Sequence, residues 1–113
     1  EVDAFLAADR TRNERVAECH PEVSFAAMNG GPPLPAKTSD AGRRRRLTLV
    51  QAAFPDAEPR LREWDAAAGR SEVDALDAYA ALWSAARWRA AEHATLGDGS
   101  RDAVTGAPLR VVV

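Results

Sequence analysis

Apolar residues recur at helical spacing along most of the chain, and the polar breaks between them mark successive helices. Val2, Phe5 and Leu6 give a short apolar face to a helix over 2–12, with Asp3, Asp9, Arg10 and Arg12 elsewhere and Asn13 as its stop. Arg15-Val16-Ala17-Glu18-Cys19-His20 reads as a short strand ended by Pro21. Proline cannot donate to a ladder, and it pre-sets the first turn of a helix. That helix runs from Pro21 to about Met28 and packs through Val23, Phe25 and Ala26. Asn29-Gly30-Gly31-Pro32-Pro33-Leu34-Pro35 is a loop.

Beyond the loop, Ser39 or Asp40 caps a helix that runs through Arg43–Arg46, Leu47, Leu49 and Val50 to about Phe54, where Pro55 stops it. A further helix, Ala57 to Ala68, is anchored by Leu61 and Trp64 and ends at Gly69. The strongest element starts at the N-cap Ser71, with Asp74 three residues on in an approximate capping box, and runs to about Ala94. At 1.5 Å per residue it is roughly 35 Å long. Its apolar stripe is Val73, Leu76, Ala80, Trp83 and Arg87, with alanines and Tyr79 flanking. Gly106 to Pro108 is a turn and Leu109 to Val113 a β-prone tail. A strand leading directly into a helix belongs to layered α/β folds. The expected class is therefore α/β, mostly helical, with one or two short strands.

The length, 113 residues, allows one domain. Hydrophobic residues make 46% of the chain and charged residues 28%, which excludes general disorder. The 15 Lys+Arg against 17 Asp+Glu exclude a globally basic nucleic-acid coat, though not a local basic patch. The apolar fraction is rich in alanine, and only 6% of residues are aromatic. Alanine buries little area, so the core is thin and calls for completion by something else. The single cysteine, Cys19, makes an internal disulfide impossible. No signal peptide or membrane-spanning run is visible, and a cytoplasmic location is expected.

Three groups of residues can carry chemistry. Glu18, His20 and Glu22 surround the end of the first strand, where active-site groups of α/β sheets commonly sit. A carboxylate there suits a hard cation, which takes oxygen ligands. The plain alternative is an exposed acid plus a helix-N-terminal acid favoured by the helix dipole. Asp74 and Asp77 lie about 60° apart on the last helix. Two such carboxylates raise each other's pKa unless a cation stands between them. Asp74 is explained by its place in the first turn, whereas Asp77 sits on or beside the apolar stripe. A charge there is costly, and a metal, an arginine or a water-filled site must compensate it.

The third group is Arg43-Arg44-Arg45-Arg46, preceded by Lys37 and Thr38. Consecutive helical positions point different ways, so at most two of the arginines face one ligand. They suit phosphates, or else form a solvated helix end. Other chemistries fail. One Cys and two His cannot make a zinc site, no phosphate-cradling glycine loop has the required spacing, and Ser24 and Ser84 have no nucleophile-elbow motif around them. Cys19 and His20 point to opposite faces of a strand and are not a nucleophile–base pair, and His93 near a helix C-terminus serves the dipole.

Taken together, Glu18-Cys19-His20-Pro21-Glu22, Phe25, Asn29-Gly30, Lys37-Thr38, Gly42 with the arginines, and Asp74-Ala75-Leu76-Asp77-Ala78 resemble the domain-of-unknown-function 429 family. That family is described as predicted nucleases of the ribonuclease-H-like fold, and the resemblance covers most of the chain. It implies a carboxylate site for two Mg²⁺ or Mn²⁺ ions that cleaves nucleic-acid phosphodiesters by attack of water. Glu18 would be the later-strand acid, Asp77 the helix acid and Asp74 a supporting ligand. Glu22 and His20 would orient the site, and Lys37, Thr38, Arg43 and Arg46 would hold phosphate. Two cations also offset the carboxylate repulsion.

The N-terminal half of the family's fold, with its first-strand aspartate, is absent from these residues. The expectation is one incomplete ribonuclease-H-like domain over 1–113, the C-terminal portion of that fold, weakly active or inactive alone. Its partners would be nucleic acid and either the missing half or a second copy, with no membrane. The alternative function is a non-catalytic module that binds protein or nucleic acid through the Arg43–Arg46 helix while the acids only cap helices.

Overall fold

A computed structural model of the protein describes residues 2–9, 15–68, 71–101, 103 and 111–113. The helices are α1 (Val2–Ala8), α2 (Pro21–Met28), α3 (Asp40–Ala53), α4 (Ala57–Ala68) and α5 (Glu72–Arg89). The strands β1 (Thr95–Leu96) and β2 (Val111–Val112) follow. Helices α2, α3 and α4 and strand β2 all pack on α5. The protein is mostly helical with a short two-stranded sheet, in the α/β class.

The core forms where these helices meet. Phe25, Val50, Ala57, Leu61, Ala75, Leu76 and Ala80 are buried, and Met28, Leu34, Leu47, Leu49, Phe54 and Tyr79 close around them. Phe25 is fully buried and contributes on the order of 2–3 kcal/mol of apolar transfer, a large share where alanine supplies so much of the lining. The Phe54 and Tyr79 rings meet at 5.3 Å in a tilted pair.

Local signals set the helix starts. The Ser39 hydroxyl accepts from Gly42 N at 3.0 Å and donates to the Ala36 carbonyl at 2.7 Å, so one side chain caps α3 and ties it to the preceding loop. Ser71 caps α5 by accepting from Val73 N at 3.2 Å, one position short of a true capping box. Pro21 opens α2 in its first turn.

Three expectations are corrected. The strand over Arg15–His20 is reduced to a single parallel bridge, Glu18 with Val111. Among the described residues a neighbouring backbone comes alongside this stretch only there, with Val112 N donating to Glu18 O at 3.0 Å. The tail pairing instead goes to the segment after α5, where β1 and β2 run antiparallel with Thr95 opposite Val112 and Leu96 opposite Val111.

Helix α5 ends at Arg89 rather than Ala94. Ala91 takes a left-handed φ of 58°, Ala91 N donates to Trp88 O at 3.1 Å, and Glu92 N donates to Arg87 O at 2.9 Å. These are the two bonds of a Schellman stop with alanine in the position glycine usually fills. His93 therefore lies beyond the helix, and the dipole is met by Arg87 and Arg89 in the last turn.

The buried stripe of α5 is Ala75, Leu76, Ala80 and Ser84, turned from the expected one. Val73, Trp83 and Arg87 are half-buried, and the Arg87 guanidinium lies 4.8 Å from the Trp83 ring centroid. Arg10, Arg12, Asn13, Gly69, Gly106–Pro108 and Leu109 lie outside the described residues, as do the Val2, Asp3 and Leu6 side chains. No helix among the described residues is long and apolar enough to cross a membrane.

Candidate functional site

The four arginines leave α3 in four directions, as helical geometry requires. Arg44 is exposed, and Arg45 donates to Asn29 Oδ1 at 2.6 and 2.9 Å, pinning the loop after α2. Arg43 donates to Glu72 Oε2 at 2.8 Å. The Glu72 carboxylate, by hydrogen bond and by charge, raises the already high pKa of Arg43.

Arg46 turns inward. It is 2% exposed and donates to Glu22 Oε2 at 2.6 Å, to Pro35 O at 2.9 Å and to Gly42 O at 3.0 Å, with its guanidinium 5.4 Å from the Phe25 ring centroid. A phosphate cannot reach a side chain so enclosed, so the expected substrate contact at Arg46 is corrected to a structural one. Its fork fastens α2, the 35–37 loop and α3 together.

That junction presents Lys37 to α5. Its ammonium donates to Asp77 Oδ2 at 3.4 Å, with the two side chains 46% and 23% exposed. Asp77 does sit beside the buried stripe, and the compensating charge is a lysine rather than an arginine. The compensation is partial, because Asp77 Oδ1 is buried and has no hydrogen-bond partner. Glu22 Oε1 and Arg46 Nε are buried and unpartnered in the same way. An orphaned buried acceptor costs about 1–3 kcal/mol, so this carboxylate is held short of what its surroundings demand. Gly42 lets the junction close. A Cβ there would stand 2.1 Å from Ala36 O and 2.6 Å from Pro35 O.

The other expected residues are exposed. The Glu18 side chain is exposed at its bridge, and His20 caps α2 through its backbone alone, its side chain also exposed. Neighbouring Cys19 contacts Ser24 at 3.4 Å, and Ser24 bonds Ser84 at 2.7 Å. Ser84 is two turns from Asp77, about 10 Å along the helix axis. Asp74 is exposed, and Thr38 is exposed beside Lys37. Among the described residues no three His, Cys, Asp or Glu side chains are grouped to hold a metal ion. Of the three expected ligands, Asp77 is half-buried with one oxygen unpartnered, while Glu18 and Asp74 are exposed carboxylates, Asp74 one turn before Asp77 on α5.

The buried Ser24–Ser84 pair, both residues fully enclosed, fastens α2 to α5. Reading those serines only as failed nucleophiles missed this, and the small polar residue amid the alanines of α5 was its one signal.

A family model described as "Protein of unknown function (DUF429)" matches residues 1–101. No curated protein and no solved structure matches the chain.

Proposed function

The chain belongs to the DUF429 family, and from that premise and the state of Asp77 we propose that it serves a divalent-metal-dependent nuclease, contributing carboxylates that hold Mg²⁺ or Mn²⁺ beside a nucleic-acid phosphodiester. The observation that carries the reading is a half-buried aspartate with one oxygen lacking any donor and the other only 3.4 Å from a lysine. Asp77 would hold the ion, with Glu18 as the second acid. When bound, the ion would neutralise Asp77 and lower the pKa of a coordinated water. Lys37 and Arg43 are each about half exposed, at 46% and 49%, and keep positive charge within reach of a phosphate, with the Thr38 hydroxyl alongside. Glu22 is a positioning residue, since through Arg46 it sets the loop that carries Lys37. His20 stands free at the start of α2 to orient the substrate.

Calorimetric titration of the chain with Mn²⁺ tests the reading. Wild type binds, Asp77→Asn binds at least tenfold more weakly, and Lys37→Met binds more tightly because a competing cation is gone. With the family's N-terminal half supplied, Mn²⁺-dependent cleavage of a labelled oligonucleotide is lost with Asp77→Asn. Equal Mn²⁺ affinity of Asp77→Asn and wild type overturns the proposal.

A further inference from the structure

Among the described residues, no other element covers one face of α5. Asp74, Ala78, Leu82, Ala85 and Arg89 are exposed and fall within an arc of about 80° on a helix of 3.6 residues per turn. Leu82 is 51% exposed. It is shared by two adjoining hollows, of about 480 Å³ towards Tyr79 and Leu61 and about 470 Å³ towards Ala86 and Ala90. A lone exposed leucine is ordinary, but an apolar stripe between two open hollows marks a contact surface.

The charges at its ends say which partner fits. An acid, Asp74, closes the stripe at the N-terminal end and a base, Arg89, at the C-terminal end, and neither ion-pairs with another described residue. A twofold axis makes residue i meet j while j meets i. Laying a second α5 antiparallel with Asp74 against Arg89 puts the axis at positions 81–82, the middle of the apolar stretch. The same register sets Ala78 against Ala85 and Ala86 of the other copy and brings the two Leu82 side chains together. Alanine on both sides permits close approach of the helices, with the leucines filling the space between. Charge, register and shape thus agree on one arrangement, and the stripe is complementary to itself.

We propose that the chain forms a symmetric dimer by antiparallel pairing of α5 with the α5 of a second copy, centred on Leu82 and closed at each end by an Asp74–Arg89 ion pair. This does not depend on the metal reading, and it sets Asp74 in an interface instead of a metal site.

Sedimentation equilibrium of the chain is the test. Wild type self-associates to a dimer, and Leu82→Asp is monomeric with unchanged far-ultraviolet circular dichroism. Asp74→Arg and Arg89→Asp each weaken the dimer about tenfold or more, since each replaces two attractive rim pairs with two repulsive ones. The double variant with both charges exchanged returns to within about threefold of wild type. Independently, Leu82→Cys in a Cys19→Ser background gives a disulfide-linked dimer on mild oxidation. A wild type that stays monomeric to about millimolar concentration leaves the stripe to another occupant and overturns the proposal. So does a Leu82→Asp dimer, a double exchange that fails to restore association, or a Leu82→Cys chain that does not cross-link.

Discussion

Replacing Gly42 with alanine adds one methyl group where α3 closes against the backbone of the 35–37 loop. The new Cβ would lie 2.1 Å from Ala36 O, 2.6 Å from Pro35 O and 2.8 Å from Ala36 C, all backbone atoms. Ordinary contact needs roughly 3.5 Å, so the 35–37 loop and α3 must separate by more than 1 Å. The loop cannot yield without loss. Ala36 O accepts from the Ser39 hydroxyl at 2.7 Å and from Ser39 N at 2.9 Å, and Pro35 O accepts from buried Arg46 at 2.9 Å.

Overpacking of this kind costs about 1–3 kcal/mol, and a buried guanidinium losing an acceptor adds a similar amount. Alanine returns about 1 kcal/mol through its higher helix propensity. The net loss is about 3 kcal/mol, which for a domain of this size lowers Tm by roughly 10–15 °C. Thermal and urea unfolding followed by circular dichroism reads it directly. Exposed Ala41→Gly, on the same turn, isolates the propensity term and costs about 1 kcal/mol. A Gly42→Ala chain as stable as wild type, or more so, refutes the account of the junction.

Ala91→Gly relieves a left-handed alanine at the end of α5 and raises stability by about 1 kcal/mol, seen as a Tm higher by roughly 3–6 °C. Arg46→Ala strips the buried fork from Glu22 and two carbonyls and costs about 3 kcal/mol, and a double-mutant cycle with Glu22→Gln gives a coupling of about 1 kcal/mol or more by urea denaturation. Hydrogen bonds from the Ser100 side chain and backbone hold the Asp98 carboxyl below the ordinary carboxylate pKa. Its small contribution to folding is therefore complete above the unfolded value of about 3.9 and disappears as the pH falls through the lower folded value. An NMR titration of Asp98 with a midpoint at or above that unfolded value refutes the assignment.

What was legible in the fold follows from whether its cause is local. Ser39, Pro55 and Ser71 fix helix ends through bonds or φ restrictions within a few residues, and the ends fall where they predict. The end of α5 has a local cause too, but its signal is missing, because alanine holds the left-handed position where glycine would have announced it. The strand at Arg15–His20 failed for the opposite reason. Alternation is a local property, while a ladder needs a second backbone alongside, and among the described residues only Glu18 of this stretch has one, at Val111, 93 positions further along.

The site was legible in composition and illegible in pairing. Helical geometry alone scatters four consecutive arginines, so that they could not form one phosphate patch. It does not say that the fourth would turn inward, because this depends on Glu22 and the Pro35 carbonyl arriving from elsewhere in the chain. Asp77 shows the same limit. Its place beside an apolar stripe requires a compensating charge, and a lysine forty residues away supplies it. That the lysine satisfies only one of two oxygens is a fact of three-dimensional packing. A lysine ammonium and a divalent ion compete for the same carboxylate. Lys37 is then the charge that pairs with Asp77 until a cation replaces it, so removing that lysine should strengthen cation binding while weakening the fold. A purely structural ion pair would show only the second effect.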